Sequence, residues 1–404
     1  MAQKNCEELH VVFVPYLTPS HMIPLVDTAR LFASHGVKVS IITTPYNALL
    51  FESSIDHAAD LGHKIFVHKL KFPSAEVGVP EGIENFSATT SQEMATGVFM
   101  GIALLQKPME DLIVDLRPHC VVSDLLLPWT VDVAEQLKIP RLTFYPNNVM
   151  FHCVEHCLKL YTPHEKVSSD SESFLIPGLP DKIEMKRSQL PDGVKSNPEG
   201  PYWDMGRFSD AQLTEISLAL EASNSSFLWV VRKGDKTQEN EQENWMPASF
   251  KGKILTNKGL IVGGWVPQLK ILNHPATGAF MTHCGWNSTL ESLTAGVPML
   301  TWPLFAEQFY NEKLVEVLGC GVGVGAEVWH VTFDIKDTII KKEEIEASLK
   351  MLMSTSTESK KIRSRAKDIE AMVKRAMEKG GSSYNHLTSL IQEIKCHAFG
   401  ISKE

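Results

Sequence analysis

Residues 265–308 read WVPQLKILNHPATGAFMTHCGWNSTLESLTAGVPMLTWPLFAEQ. A short apolar run, Gly278 to Met281, leads into the polar turn Thr282-His283-Cys284-Gly285-Trp286-Asn287-Ser288. A run with helical spacing, Thr289 to Ala295, follows it. Strand, tight turn and helix start make an α/β unit. A helix start leaves backbone N–H groups without intrahelical partners and carries a partial positive charge. The turn is therefore predicted to seat a phosphate. Around it stand an indole (Trp265), a carboxylate one helical turn in (Glu291) and an acid–amide pair after the next strand (Glu307, Gln308). An aromatic plane, an anion seat, a diol acceptor and a polyol clamp together suit a nucleotide sugar.

The N-terminal half has the same alternation. His10 to Leu17 reads as a buried strand. Pro24 to His35 reads as a helix, with Leu25, Ala29 and Phe32 at helical spacing, and Gly36 ends it before the strand Val37 to Thr44. The pattern returns at Cys120 to Asp124, then in a helix through Ala134 to Leu137, then at Pro140 to Tyr145. Short joints between strand, helix and strand mean a parallel sheet. Later come a helix (Asp210 to Ser223), a strand (Phe227 to Val231), a helix-rich segment (Lys341 to Lys379) and a last helix (Asn385 to Ile394). Ser168 to Ser173 and Lys233 to Asn244 read as polar surface loops. A chain of 404 residues exceeds one ordinary core, so two α/β domains are expected. Their limits are placed at 1–200 and 201–384, with a terminal helix and tail at 385–404.

Composition excludes several classes. A net charge of −9 argues against a nucleic-acid partner, which wants a basic face. The early apolar run is broken by Pro15 and lacks the length of a signal core. No stretch approaches the roughly 18 apolar residues that span a bilayer. A cytoplasmic monomer is expected, with loose association at the endoplasmic reticulum surface left open. Seven scattered cysteines are an odd number, and Cys153 with Cys157 lacks the second pair of a zinc site. The glycine run Gly319 to Gly325 follows a helix and has no clear helix after it. It is therefore a loop and strand, not the dinucleotide fingerprint a nicotinamide oxidoreductase needs.

Bland alternatives stand beside the chemical ones. Ser288 with Glu291 fits a capping box, so both could serve only the helix. His21 could be an ordinary polar loop residue. Asp124 could cap the helix that follows it.

All 44 positions of the 265–308 block resemble, without a gap, the donor-binding signature of plant secondary-product glycosyltransferases, UDP-dependent enzymes of the GT-B fold. Ser20-His21-Met22-Ile23-Pro24 is similar to the family's Gly-His-x-x-Pro turn, with Ser in place of Gly. Val122-Ser123-Asp124 is similar to its buried aspartate strand end. The resemblance implies two facing Rossmann-like domains with a cleft between them. The first takes a hydroxyl acceptor, the second takes the UDP-sugar, and the final helix packs back on the first. It further implies that Trp265 stacks on the uracil, that the Val266 to Gln268 backbone meets the base edge, and that Glu291 accepts from the ribose hydroxyls. His283, Asn287 and Ser288, with backbone N–H groups such as that of Gly285, hold the diphosphate. Trp286, Glu307 and Gln308 bind the sugar, and Gln308 leans towards UDP-glucose. His21 is the implied general base, oriented by Asp124, in an inverting transfer; imidazole titrates near pH 6.5 and suits that task. The helix start at 285–288 serves in place of a metal, and neither metal nor cofactor is expected.

One departure is large. Lys195 to Pro201 runs almost directly into Gly206-Arg207-Phe208-Ser209-Asp210, where the family has several dozen more residues. Those residues hold the first strand of the second domain and a Gly-Ser loop that touches the diphosphate. Without that strand a parallel sheet gains an unpaired edge. A smaller departure is Gly263, where the family often has an aromatic residue. The alternative reading is a non-catalytic variant of the family lacking an internal segment. Leu175 to Asp192 resembles the family's triterpenoid saponin transferases, so a triterpenoid or its glycoside is the expected acceptor and a flavonoid the alternative.

Overall fold

The computed structural model describes residues 8–191, 194, 208–223, 225–231, 246–247, 250, 258–329 and 339–401. The joint at 195–206 and the polar loop Lys233 to Asn244 lie outside the described residues. The chain divides into two compact units, Met1–Pro146 with Ala376–Glu404, and Asn147–Arg375.

In the first unit, five parallel strands lie in the order β3-β2-β1-β4-β5. They are β1 (His10–Val14), β2 (Lys38–Thr43), β3 (Ile65–Lys69), β4 (Cys120–Asp124) and β5 (Arg141–Phe144). This 3-2-1-4-5 order is that of a doubly wound sheet. The unbroken run His10-Val11-Val12-Phe13-Val14 is buried at every position, as a central parallel strand covered on both faces requires. Leu25, Ala29 and Phe32 of the helix Pro19–Ser34 cover it, and the Phe13 and Phe32 rings meet edge-on at 5.3 Å. Ile391 and Ile394 of the last helix, Ser382–Phe399, belong to the same core.

The first helix begins at Pro19 rather than Pro24, so His21 sits in its first turn and not in a loop. Extended Thr18 precedes Pro19, whose fixed φ suits the first helical position. Pro24 then lies inside the helix, where its missing N–H forfeits one bond to the carbonyl of Ser20.

The second unit holds two separate parallel groups. One pairs β8 (Phe227–Val231) with β9 (Gly259–Gly263). The other runs β10 (Phe280–Thr282), β11 (Met299–Thr301), β12 (Gly321–Gly323). Against the doubly wound order 3-2-1-4-5-6, β9 and β8 supply places three and two, and β10 to β12 supply places four to six. Among the described residues no strand fills place one, between β8 and β10. The strand expected to be absent would precede Phe208, and the residues there lie outside the described ones. Leu228, Val230 and Leu260, which a complete parallel sheet would bury, are 42%, 40% and 55% exposed.

The units divide the chain earlier than residue 200. The helix Val149–Tyr161 and the hairpin of β6 (Ser173–Leu175) with β7 (Glu184–Lys186) fall in the second unit. The physical reason is a shared core. Val154, Leu158, Phe174 and Met185 pack with Phe309, Tyr310 and Trp329.

Candidate active site

The carboxyl ends of β1 and β4 lie side by side at the point where the strand order reverses. Open α/β sheets bind ligands in the crevice at such a point. The sequence places one titratable group on each side of it, His21 just after β1 and Asp124 as the last residue of β4. Their side chains meet, His21 Nδ1 lying 2.8 Å from Asp124 Oδ2. A carboxylate only accepts, so this bond puts the proton on Nδ1 and leaves the lone pair on Nε2. Asp124 is fully buried, and its other oxygen accepts from the Leu126 N–H at 2.9 Å. Trp129, not Asp124, occupies the cap of the following helix, Thr130–Leu137. The His21 side chain keeps 21% exposure. The Tyr16 ring stands 5.9 Å from it, and burial, helped by the Asp124 charge, pushes the Tyr16 hydroxyl up to about 12. Tyr16 therefore stays neutral beside the pair.

In the second unit, the helix Trp286–Ala295 is capped by Gly285, whose lack of a side chain leaves the helix start uncapped from within. This corrects the capping-box alternative. Ser288 is the third helical residue, too late to cap, and both Ser288 Oγ and Glu291 Oε2 accept from Gln268 Nε2, at 3.2 and 2.9 Å. Gln268 opens the short helix Gln268–Leu272, and its N–H also bonds the Val266 carbonyl at 2.8 Å. Trp265, two residues before that helix's cap, is 80% exposed and offers a free aromatic face. Cys284 adopts a φ of 66°, in the left-handed region that costs a non-glycine residue strain. Gly285 admits His283 closely, since a Cβ there would lie 2.6 Å from His283 Nε2. His283, Gly285, Trp286, Asn287 and Ser288 are thus gathered at one helix start.

Glu307 precedes the helix Gln308–Leu318, and its Oε1 accepts from Asn311 Nδ2 at 3.3 Å. Gln308 is 3% exposed, and its Oε1 accepts from the N–H groups of Leu304 and Phe305 at 2.9 and 3.1 Å. Its carbonyl oxygen therefore braces the loop that precedes the helix. Two further residues carry no local motif. Asn311 is fully buried and donates to the Cys284 carbonyl at 2.7 Å. Glu312, accepting from the Thr301 hydroxyl at 2.5 Å, is pushed up to about 7 by burial. Burial, with Glu312 next, also raises the Cys284 thiol. Only tertiary contacts reveal these two.

Among the described residues, no group of three or more His, Cys, Asp or Glu is gathered as a metal site. No described helix is long and apolar enough to cross a membrane.

Comparison with known proteins bears on this geometry. The family model for UDP-glucoronosyl and UDP-glucosyl transferase matches residues 205–377. Nuatigenin 3-beta-glucosyltransferase of Solanum aculeatissimum is 43% identical over 484 residues, covering 96% of this chain and 97% of the relative. Soyasapogenol B glucuronide galactosyltransferase of Glycine max is 38% identical, covering 97% of each. The crystal structure of UGT73P12 from Glycyrrhiza uralensis, complexed with glycyrrhetinic acid 3-O-monoglucuronide, is similar at a TM-score of 0.89 and 34% identity, over 96% of each chain. An alignment of 484 positions against a chain of 404 leaves at least 80 positions with no residue of this chain opposite them. The relatives are named as transferases, and the non-catalytic alternative finds no support among them.

Proposed function

The chain belongs to the UDP-glycosyltransferase family, enzymes of the GT-B fold that use a UDP-sugar, and on that premise we propose how its own residues carry the transfer and to what acceptor. The single observation that carries the mechanism is the 2.8 Å contact between His21 Nδ1 and Asp124 Oδ2 at the switch point of the first sheet. With Nδ1 engaged, Nε2 takes the proton of an acceptor hydroxyl. That oxygen attacks the anomeric carbon as the bond to the diphosphate oxygen breaks, and the configuration inverts. Buried Asp124 stabilises the imidazolium that results.

The diphosphate leaves as an anion, and the uncapped helix start at Gly285 to Ser288 receives it. Fixed N–H dipoles aimed at developing charge do the work a divalent ion does in other transferases. Trp265 stacks on the uracil, and the Val266 to Gln268 segment meets its edge. Glu291, steadied by Gln268, accepts from the ribose hydroxyls. Trp286, Glu307 and Gln308 bind the sugar, Gln308 through its amide nitrogen because its oxygen serves the loop.

The sugar is glucose and the acceptor a hydroxyl of a triterpenoid or steroidal sapogenin, or of its glycoside. Relatives named for nuatigenin and soyasapogenol B glucuronide support this, as does the glycyrrhetinic acid glucuronide complex of the structural relative. The setting is the cytoplasm and the working form a monomer. Incubation with UDP-glucose and a panel of sapogenins and flavonoids, read by mass spectrometry, tests the acceptor. Glucosides of sapogenins are expected in preference to those of flavonoids, and the reverse preference overturns the assignment.

A further inference from the structure

Asn311 is buried near the start of the helix Gln308–Leu318, and its carboxamide meets two other segments and the cap of its own helix. Nδ2 donates to the Cys284 carbonyl at 2.7 Å and to Glu307 Oε1 at 3.3 Å. Oδ1 accepts from Nδ2 of Asn148. Asn148 in turn caps the helix Val149–Tyr161, its Oδ1 accepting from the Phe151 N–H at 2.6 Å. One side chain thus engages its oxygen and its nitrogen in a place without solvent, where an unmade bond is costly.

The bond to Cys284 has a directional consequence. The Cys284 carbonyl and the Gly285 N–H belong to one planar trans peptide, so they point in opposite directions. Holding the carbonyl towards Asn311 aims the Gly285 N–H the other way. Donation to the carbonyl also polarises that N–H. Cys284 sits at a φ of 66°, a conformation that persists only where its surroundings enforce it. Asn311 is one of the groups that enforce it.

We propose that Asn311 is a positioning residue for the donor. Through the Cys284 carbonyl it aims the Gly285 N–H at the diphosphate, and through Glu307 it couples that aim to the sugar-binding carboxylate. The inference rests on the donor reading above, and its test separates the two.

Calorimetric titration of UDP and of uridine into wild type, Asn311→Ala and Asn311→Asp gives the readout. Both variants remove the Nδ2 donor. Asn311→Asp keeps the side chain's shape and its oxygen towards Asn148 but sets a second carboxyl against Glu307, so a thermal melt first establishes that each variant used is folded. The Kd for UDP is expected to rise about tenfold, the scale of one lost hydrogen bond. That for uridine, which has no phosphate, should stay within about twofold. A merely structural role would weaken both ligands alike, and that result overturns the proposal, as does unchanged UDP binding. His283→Ala is the control. If it weakens UDP while the Asn311 variants do not, the donor reading stands and the positioning role is wrong. If UDP affinity ignores all three variants, the donor reading falls and takes the proposal with it.

Discussion

The side-chain amide of Gln268 donates to the carboxylate of Glu291, 23 positions later, at 2.9 Å, joining two short helices. A carboxylate oxygen held this way is oriented before a ribose arrives. Glu291→Ala should therefore raise KM for UDP-glucose by about 10- to 100-fold, the scale of hydrogen bonds to a charged group. Since the ribose does not react, kcat should change little. Steady-state kinetics with the donor varied check this split. A fall confined to kcat would contradict it.

Asp124 fixes which nitrogen of His21 carries the proton. Asp124→Asn keeps the shape, but its amide can donate to Nδ1 and so favour the wrong tautomer. We expect kcat to fall by about 100- to 10,000-fold. UDP binding, measured separately, should remain unchanged, because the dyad lies in the first unit and the proposed donor residues in the second.

Gly285 has a φ of −56°, which any L residue adopts, so Gly285→Ala brings no backbone strain. The new Cβ would nevertheless lie 2.6 Å from His283 Nε2. The imidazole must shift. The expected outcome is about tenfold weaker UDP binding, roughly one lost hydrogen bond, with a melting temperature within a few degrees of wild type. Thermal melts with and without UDP measure both quantities, and an unchanged UDP-induced shift would contradict the assignment of His283.

Strands with long apolar runs were legible in the sequence. Cys120 to Asp124 and Phe227 to Val231 are strands over the residues expected, because each apolar block is bounded by polar or turn residues. The start of the first helix was less legible. Pro24 read as its first residue, whereas Pro19 opens the helix and Pro24 is tolerated within it. The Ser288–Glu291 spacing resembled a cap, but the real cap falls three residues earlier, where the left-handed Cys284 turns the chain. Asn311 and Glu312 gave no signal, because an amide and an acid at adjacent helical positions look like solvent-facing residues. Their roles follow from burial against β11 and the Cys284 turn, which local pattern does not encode.

Glu312 makes stability depend on pH. Its folded pKa is raised from 4.5 to about 7 by burial. A raised folded value means its contribution is fully present below about 4.5 and is lost as pH climbs through about 7. The loss is at most about 3 kcal/mol by linkage. Glu312→Gln, which cannot ionise, should remove this part of the decline. Denaturant titrations of both proteins at pH 5 and pH 8 check it. Parallel losses in the two proteins would contradict the assignment.

His21 is the proposed base for sugar transfer to a hydroxyl, with the diphosphate received by backbone dipoles. The direct measurement is the rate of product formation from UDP-glucose and a sapogenin, in EDTA, by wild type and His21→Ala. The wild type is predicted to form the β-glucoside under these conditions, and His21→Ala to be slower by at least about 100-fold at equal UDP affinity. A His21→Ala rate equal to wild type would contradict the account.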